Sequence, residues 1–275
     1  MTVIALGTFD GVHLGHQKII KATVAYAKKH GLTPMAITFD PHPQQVVAPG
    51  RGLKLLTTLN ERRELLHEYG IKKVYVIKFT GAFRKMGPEK FIEKILIKKL
   101  KAKHVFVGYD FAFGRGRLGG GEQLKGHGFS VTVVPAAKKN GEPIKSSGIR
   151  EDIRSGNFNN AVKQLGHSYQ ITGRVVYGAG IGKGLGFPTI NLKTDPHKLI
   201  PSQGVYAGRC QNFKAAINIG KIVEAHLIGF DKKIYGHRVT LRLERKIREE
   251  KKFPDIEKLK AQITKDVAKT KFIVL

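Results

Sequence analysis

Two histidines, His13 and His16, stand three residues apart in the segment 7–16 (GTFDGVHLGH). An apolar run at 3–6 precedes this segment, and apolar residues at helical spacing follow it, so we predict a strand, a turn and a helix. A helix N-terminus carries partial positive charge and unpaired N–H groups, which suit a phosphate. Histidine can also donate to a phosphate that gains negative charge as its bond to a leaving group breaks. The segment therefore predicts a nucleotide-phosphate site.

Taken alone, a pair of histidines near a turn would more often be a surface feature or part of a metal site. Three further segments favour the phosphate interpretation: 39–43 (FDPHP), 107–114 (VGYDFAFG) and 144–150 (IKSSGIR). Each comes after a predicted strand, and open α/β sheets bind ligands beyond the carboxyl ends of their strands. We therefore expect these segments to contribute to the same kind of site.

In the first half of the chain, apolar runs alternate with helical patterns. The predicted strands are 3–6, 34–39, 74–79, 105–107 and 131–134, and the predicted helices are 16–30, 60–69, 88–100 and about 149–165. Such alternation is typical of an α/β fold with a parallel sheet covered by helices. The last of these helices is expected to end at Gly166.

After Gly166, short strand-like runs separated by glycine and proline replace the helices. These predicted strands are 169–177, 205–209, 215–219, 223–230 and 239–244. The pattern predicts a small antiparallel β-barrel, followed by a terminal helix at about 256–267. We place the domain boundary between Gly166 and His167, which gives domains 1–166 and 167–275.

The composition indicates which binding partners and which cellular compartment to expect. The 275 residues include 49 Lys and Arg and 21 Asp and Glu, which gives a net charge of +28. Such a charge attracts polyanions, but it does not indicate whether the partner is a nucleotide or a nucleic acid. The basic residues are spread along the chain, as on a solvated surface. No apolar run is long enough to cross a membrane. The single cysteine, Cys210, cannot form an internal disulfide, and no leader precedes the first strand, so we expect a cytoplasmic protein.

Two glycine-rich segments resemble phosphate-binding motifs. Segment 114–119 (GRGRLG) fits a dinucleotide pattern, but no helical pattern follows it, and Lys139 stands where a ribose-binding acid would be expected, so a basic loop over phosphates is the better interpretation. Segment 178–184 (GAGIGKG) lacks the Ser or Thr of a P-loop after Lys183. It is followed instead by 185–191 (LGFPTIN).

Together these motifs resemble the bacterial bifunctional riboflavin kinase/FAD synthetase family over nearly the whole chain. The first half is similar to the FMN adenylyltransferase module, a HIGH-type nucleotidyltransferase with a Rossmann-like parallel sheet, through GTFDGVHLGH, FDPHP, VGYDFAFG and SSGIR. The second half is similar to the riboflavin kinase module through GKGLGFPTIN, GVYAG, INIG, VEAHL and IREEKKF. The shared order of these short motifs across two domains carries the resemblance.

The resemblance implies two successive reactions. ATP phosphorylates the ribityl 5′-hydroxyl of riboflavin to give FMN, and FMN then attacks the α-phosphate of a second ATP to give FAD and pyrophosphate. Both reactions imply Mg²⁺ as cofactor and ATP as co-substrate. The implied partners are riboflavin, FMN, FAD and ATP, with neither a membrane nor a nucleic acid among them.

For adenylyl transfer the resemblance assigns His13 and His16 as catalytic groups. The residues assigned to ATP in this half are Gly7, Phe9, His13, His16, Ser146, Ser147 and Arg150. Asp110 and Phe111, with His42, are assigned to the flavin, and ATP is the alternative for Asp110. Each serine can alternatively cap a helix, and His42, between two prolines, can alternatively shape a turn.

For the kinase the resemblance assigns Glu224 as the base that deprotonates riboflavin, in a strand where partial burial would raise its pKa. Its ATP-binding residues are Gly182, Lys183, Gly184, Thr189 and Asn191, and the oxygens of Thr189 and Asn191 are assigned to Mg²⁺. Arg248 is assigned to flavin or nucleotide. A solvent-facing carboxylate is the alternative for Glu224, and a surface salt bridge is the alternative for Arg248.

The chain departs from the family pattern at three places. Lys145 stands where a serine is usual, and Gly229 stands where an aspartate is common. Only Lys221 and Ile222 separate Gly220 from Val223, where similar proteins have a longer connection. An adenylyltransferase with a weak or inactive kinase is therefore an alternative function, and a basic RNA-binding regulator on the same scaffold is another.

Overall fold

The computed structural model describes residues 1–114, 116, 119–178 and 180–274. The predicted loop at 114–119 falls partly outside these residues, as does position 179 of the glycine-rich segment 178–184. Contacts within the chain divide it into two compact units, Met1–Ser146 and Ser147–Leu275. The predicted boundary after Gly166 stays a prediction. No helix among the described residues is long and apolar enough to cross a membrane.

The first unit contains the predicted parallel sheet. Its strands are β1 (Thr2–Leu6), β2 (Thr33–Asp40), β3 (Lys73–Lys78), β4 (Ala102–Gly108) and β5 (Ser130–Val134). They pair in parallel in the order β3-β2-β1-β4-β5, which confirms the predicted α/β architecture. A short hairpin, β6 (Lys138–Lys139) and β7 (Glu142–Pro143), follows the sheet.

The helices of this unit are α1 (Leu14–Lys29), α2 (Pro43–Val47), α3 (Leu59–Glu68), α4 (Gly81–Arg84) and α5 (Pro88–Phe91), with a 3₁₀ turn at Pro49–Arg51. The predicted helix 88–100 changes type, because a π-helix (Ile92–Lys99) continues α5. There Lys98 pairs with Glu93, five residues earlier, as the wider π-helical turn allows.

Alternate side chains of the central strand enter two apolar cores, as the two-residue period of a strand requires. Ile4 and Leu6 pack with one cluster, which includes Leu96 of the π-helix. Val3 and Ala5 pack with the other cluster, which takes Ile19 and Ile20 from α1 and Leu65 and Leu66 from α3. Helices thus cover both faces, and the carboxyl end of β1 leads directly into the His13 turn.

The predicted single helix 149–165 is wrong. Two helices stand there, α6 (Ser146–Arg154) and α7 (Phe158–Leu165), separated at Gly156, whose φ of 87° is left-handed. The carboxylate of Asp152 holds the junction by accepting bonds from the side-chain amides of Asn157, Asn160 and Gln164. Gly166, in a left-handed conformation, caps α7 as predicted.

The second unit contains the predicted barrel. Its strands are β8 (Tyr169–Val176), β9 (Ile190–Thr194), β10 (Gly204–Cys210), β11 (Phe213–Ile219), β12 (Val223–Leu227) and β13 (Arg238–Arg248). They close in the order β10-β11-β12-β9-β8-β13, and each strand is antiparallel to both of its neighbours. A short helix, α8 (Ile181–Gly184), precedes β9, and α9 (Ile256–Ile273) is the terminal helix.

The barrel interior is filled by alternate residues of its strands, including Ile171, Leu192, Ile217, Ala225 and Leu241. Cys210 is also buried, and burial raises the pKa of its thiol. Sequence analysis missed β9 and ended β13 four residues early, at 244 instead of Arg248. Every second position on these strands faces outward, and such positions can hold polar side chains.

Candidate active sites

The turn between β1 and α1 has an unusual backbone. Phe9, Gly11 and Val12 have φ angles of 52°, 82° and 39°, all in the left-handed region. Such angles are costly for Phe9 and above all for β-branched Val12, so neighbouring groups must hold the turn. Gly7 lies against the Phe9 ring, which stands 3.1 Å from where a Cβ would be. The turn delivers His13 directly to the N-terminus of α1.

His13 is the N-cap residue of α1, and its Nδ1 accepts a hydrogen bond from Gly15 N at 3.2 Å. A neutral imidazole that accepts at Nδ1 carries its proton on Nε2, where it can donate. The His13 and His16 rings stack with centroids 3.7 Å apart and an interplanar angle of 21°. Phe9 packs edge-on against His16 at 5.3 Å. The structure thus brings the two predicted imidazoles together at the start of a sixteen-residue helix.

Sequence analysis missed the residues beneath this turn. The Asp10 carboxylate, with 0% exposure, accepts bonds from Leu56 N at 3.1 Å, Thr57 N at 2.9 Å and Thr57 Oγ1 at 3.0 Å. Gly11 N donates to Thr57 Oγ1 at 3.0 Å. Buried Arg62 approaches the same carboxylate at 3.9 Å. We call Asp10, Thr57 and Arg62 the Asp10 network.

Arg62 links this network to β2. Its Nη1 donates to Thr38 Oγ1 at 3.0 Å and to the Phe39 carbonyl oxygen at 3.2 Å. Thr38 Oγ1 donates in turn to the Thr8 carbonyl oxygen at 2.8 Å. The only sequence signals were an acid inside a glycine-rich turn and an arginine on the apolar face of α3. Neither signal reveals that residues 46 to 52 positions apart meet.

Three predicted ATP ligands lie at the start of α6. Ser146 Oγ donates to the Asp10 carbonyl oxygen at 3.0 Å, which places Ser146 beside the turn at 9–12. Ser147 and Arg150 follow in the same helix, and Arg150 is buried with 6% exposure. Both serines lie inside the helix, whose first residue is Ser146.

The residues predicted for flavin in the first unit follow β2 and β4. His42 caps α2: its Nδ1 accepts from Gln44 N at 3.2 Å, while its own N–H donates to Gln45 Oε1 at 3.1 Å. Asp110 is exposed, and Phe111 stacks on Phe113 with centroids 5.5 Å apart. His42 therefore shapes a turn, as its alternative interpretation predicted, and a flavin contact for these residues stays a prediction.

In the second unit, Glu224 lies at the centre of a polar row on the barrel. Its neighbours on β12, Val223 and Ala225, are buried in the barrel, so Glu224 is on the outer face. The strand register places Asn191 of β9 opposite Glu224 on one side and Asn218 of β11 opposite it on the other. Directly opposed residues have Cβ atoms about 4.5–5.5 Å apart. We call this the Glu224 row.

Asn191 faces outward yet is only 6% exposed, because the glycine-rich segment covers it. Gly178 lies so close to the Asn191 amide that a Cβ would overlap it. Gly182 likewise stands with its Cβ position 3.3 Å from Thr189 Oγ1. Among the described residues, no hydrogen-bond partner reaches Asn191 Oδ1. An amide oxygen is thus buried beneath a glycine-rich loop and beside a carboxylate.

The segment before β9 is held against the same outer face of the barrel by contacts with β12. His226, on β12, donates from Nδ1 to the Pro188 carbonyl oxygen at 2.9 Å, and Phe187 packs edge-on against the His226 ring at 5.5 Å. Lys183 and Gly184 are exposed on α8. The structure therefore gathers Gly182, Thr189 and Asn191 near the Glu224 row, whereas it leaves the Lys183 side chain in solvent.

Arg248 forms an ion pair with Asp266, the kind of contact given as its alternative interpretation, but in a largely buried position. Its Nε and Nη2 donate to Asp266 Oδ2 at 2.9 and 2.7 Å, and its Nη1 donates to the Glu249 carbonyl oxygen at 2.9 Å. Asp266 is buried with 3% exposure and also accepts from Gln262. This ion pair joins β13 to α9 and is largely buried, so Arg248 helps to hold the terminal helix against the barrel. A contact with flavin or nucleotide stays a prediction.

The short connection between β11 and β12 is a tight hairpin in which Gly220 N donates to the Ile222 carbonyl oxygen at 3.2 Å. Beside it lies a pocket of about 370 Å³. Its lining residues include Thr194, Ile200 and Lys221. The hairpin thus forms part of the wall of this pocket.

The first unit thus combines a parallel sheet with two stacked histidines, and the second combines a barrel with a buried carboxamide beside a carboxylate. A family model for FAD synthetase matches residues 1–148, and one for riboflavin kinase matches residues 165–274. The chain belongs to the bifunctional riboflavin kinase/FMN adenylyltransferase family.

Relatives of that name match over almost their full length. The protein from Listeria monocytogenes is 33% identical over 287 residues, which cover 98% of this chain and 91% of that protein. The protein from Buchnera aphidicola of Schizaphis graminum is 34% identical, with 97% and 92% covered. A crystal structure described as a macrolide-efflux protein from Streptococcus pneumoniae is 28% identical, has a TM-score of 0.87, and matches 98% of this chain and 93% of its own.

Proposed function

We propose that the chain phosphorylates riboflavin to FMN in its barrel and adenylylates FMN to FAD in its first unit. The observation that carries this proposal is that both family models match one chain, each over a separate polar site. The paired imidazoles at the α1 N-terminus support nucleotidyl transfer. The Glu224 row beneath a glycine-rich loop supports phosphoryl transfer.

In adenylyl transfer, a phosphate oxygen of FMN attacks the α-phosphorus of ATP. The new P–O bond gives FAD, and the bond to the β-phosphate oxygen breaks, so pyrophosphate leaves. The residues need supply no nucleophile, because FMN is one. His13 and His16 donate to phosphate oxygens as charge builds on the leaving group, and the α1 N-terminus adds backbone N–H groups. Gly7 and Phe9 shape the turn, and Ser146, Ser147 and Arg150 bind the ATP phosphates.

In phosphoryl transfer, the ribityl hydroxyl oxygen attacks the γ-phosphorus of ATP, and ADP leaves. Glu224 accepts the hydroxyl proton, which places it as the general base. Asn191 and Asn218, opposite it on either side, are placed to orient the hydroxyl and the phosphates. Gly182 allows the loop backbone to approach Thr189 closely, and Lys183 and Gly184 on α8 would contact the ATP phosphates.

The residues present fit Mg²⁺ in the kinase site. Asn191 Oδ1 is buried and, among the residues that the structure describes, no donor satisfies it; Thr189 Oγ1 is the second neutral oxygen. Magnesium prefers oxygen ligands and retains several waters, so two protein ligands suffice. When bound, Mg²⁺ neutralises charge on the phosphates during transfer. Thr189 and Asn191 would hold it.

Three further assignments complete the proposal. His42, Asp110, Phe111 and Arg248 are the residues proposed to contact flavin. The domains are 1–166 and 167–275, with α6 and α7 assigned to the first. The cytoplasmic location, based on the single cysteine, also stays a prediction.

The test is a product assay with purified protein, riboflavin, ATP and Mg²⁺, resolved by chromatography. The proposal predicts that FMN appears first and FAD follows. FAD formed only when FMN is supplied would show an adenylyltransferase with an inactive kinase. An absence of turnover, with RNA binding that weakens as salt rises, would instead favour the RNA-binding alternative.

A further inference from the structure

The turn that presents His13 and His16 cannot hold itself in place. Phe9 and Val12 both have left-handed φ angles, which L-residues other than glycine avoid. Within the turn, Val12 N donates to the Phe9 carbonyl oxygen at 3.1 Å, and Gln17 Nε2 donates to the Val12 carbonyl oxygen at 2.9 Å. Strained backbone of this kind persists only where surrounding contacts determine it.

The Asp10 network supplies those contacts from another part of the chain. The Asp10 carboxylate accepts from two consecutive backbone amides, Leu56 N and Thr57 N. Thr57 Oγ1 donates to that carboxylate and accepts from Gly11 N and from Arg62 Nε. One hydroxyl therefore touches the carboxylate, the turn backbone and the guanidinium at once.

The network is polar although its side chains are almost completely buried, with 1% exposure for the Arg62 side chain and 0% for Asp10. Burying a charge pair contributes little net stability, since desolvation offsets most of the attraction between the charges. In other proteins, apolar residues of similar volume often replace a buried ion pair without loss of stability. Directional bonds, however, define the conformation of a backbone turn, which apolar packing does not.

We infer that Asp10, Thr57 and Arg62 are positioning residues for adenylyl transfer: they hold the left-handed turn at 9–12 and thereby fix the imidazoles of His13 and His16. The inference rests on the proposed function of the first unit. The Asp10 network lies close to the proposed phosphate ligands, because Val12 precedes His13 directly and the Asp10 carbonyl oxygen also accepts from Ser146 Oγ. Disturbing the network therefore moves both the imidazoles and a proposed phosphate ligand.

Thr57 offers a matched pair of variants. Thr57→Val keeps the branched shape and removes the hydroxyl, whereas Thr57→Ser keeps the hydroxyl and removes a methyl group. We expect Thr57→Val to lower kcat for FAD formation by about 10- to 100-fold, because a small misplacement of reacting groups has effects of that size. Its KM for FMN should change little, and Thr57→Ser should stay close to the wild type.

Two readouts separate positioning from general destabilisation. Riboflavin phosphorylation by the same molecules should be unchanged in both variants. The Cε1–H resonances of His13 and His16 should shift in Thr57→Val and not in Thr57→Ser, while that of His30, exposed at the far end of α1, stays in place. Asp10→Asn, which removes the charge facing Arg62, should reproduce the kinetic and spectral changes of Thr57→Val.

Contradictory results are equally clear. The inference fails if Thr57→Val keeps the wild-type kcat, if Thr57→Ser loses as much activity as Thr57→Val, or if the two histidine resonances do not move. A wild-type protein that forms no FAD would overturn the proposed function instead. In that event the resonances alone decide whether the network positions the imidazoles.

Discussion

The two sites present their reactive groups in different ways. In the first unit, an irregular turn places His13 and His16 at a helix N-terminus, and residues distant in sequence hold that turn. In the barrel, Glu224 projects from a regular strand, and the antiparallel register alone brings Asn191 and Asn218 beside it. Because the site on the barrel depends only on strand register, a single substitution there should affect only its immediate neighbours. A turn-borne site depends on tertiary bonds, so the effects of distant substitutions should reach it.

The largest effect is expected from Glu224→Gln, which keeps the shape of the side chain and removes the base. Riboflavin phosphorylation should fall by about 10²- to 10⁴-fold, the usual contribution of a general base. FAD formation from added FMN should not change. Steady-state assays of the two reactions measure this split.

Glu257→Gln, in the exposed first turn of α9, is the matched control and should leave both reactions intact. A folded Glu224→Gln protein that loses both reactions would contradict the separation of the two sites.

A slightly smaller effect is expected from His16→Ala, which should impair FAD formation instead of riboflavin phosphorylation. Removing a donor to the developing charge should lower the rate of FAD formation by about 10²- to 10³-fold. Riboflavin phosphorylation should continue at the wild-type rate. His30→Ala, on the same helix, is the control that should preserve both activities; equal losses in the two variants would show that α1 was merely destabilised.

A moderate effect is expected from Asn191→Leu, which replaces the buried oxygen by a methyl group of similar size. The Mg²⁺ concentration that gives half-maximal riboflavin phosphorylation should rise about tenfold or more, because an oxygen ligand is lost. Asn191→Asp keeps an oxygen and should respond far less. An unchanged Mg²⁺ titration in Asn191→Leu would remove this residue from the metal site.

The smallest effect concerns acid stability of the first unit. Burial, and then the charge of His30, lower the pKa of His104 below its ordinary value of 6.5. The unfolded chain therefore binds a proton at a pH where folded His104 does not, so this contribution to stability is present above about pH 6.5 and is lost as the pH falls below it.

Hydrogen exchange of β4 amides measures this loss. Between about pH 6.5 and pH 5, protection should fall in the wild type and fall less in His104→Gln, which carries no proton-binding group. The barrel should show no matching change in its strands. An identical pH dependence in the two proteins would contradict the role of His104.

Local sequence patterns predicted most of the regular elements. The predicted strands of the sheet differ from the observed ones by at most a few residues, because long apolar runs dominate them. β9 (Ile190–Thr194) was missed because its sequence, INLKT, has few apolar residues and pairs only through its neighbours β8 and β12. The break at Gly156 was missed because the helical pattern resumes immediately after it.

The residues of the candidate sites also differ in how far the sequence alone can predict them. His13, His16 and Glu224 lie in motifs that are contiguous in sequence, so they could be identified before the fold was known. Asp10 and Arg62 could not, since their partners lie on other elements. For Arg248 the sequence predicted a salt bridge as one alternative, but not its partner, because Asp266 lies on another element.

The most direct test mixes the two single variants. Incubated alone with riboflavin, ATP and Mg²⁺, Glu224→Gln and His16→Ala should each make FAD at least about 100-fold more slowly than the wild type. Mixed in equal amounts, they should make FAD much faster than either alone, because FMN released by the intact kinase of His16→Ala reaches the intact adenylyltransferase of Glu224→Gln. A mixture that makes FAD no faster than either variant alone, although each variant retains its own half-reaction, would contradict two independent sites that share a diffusing intermediate.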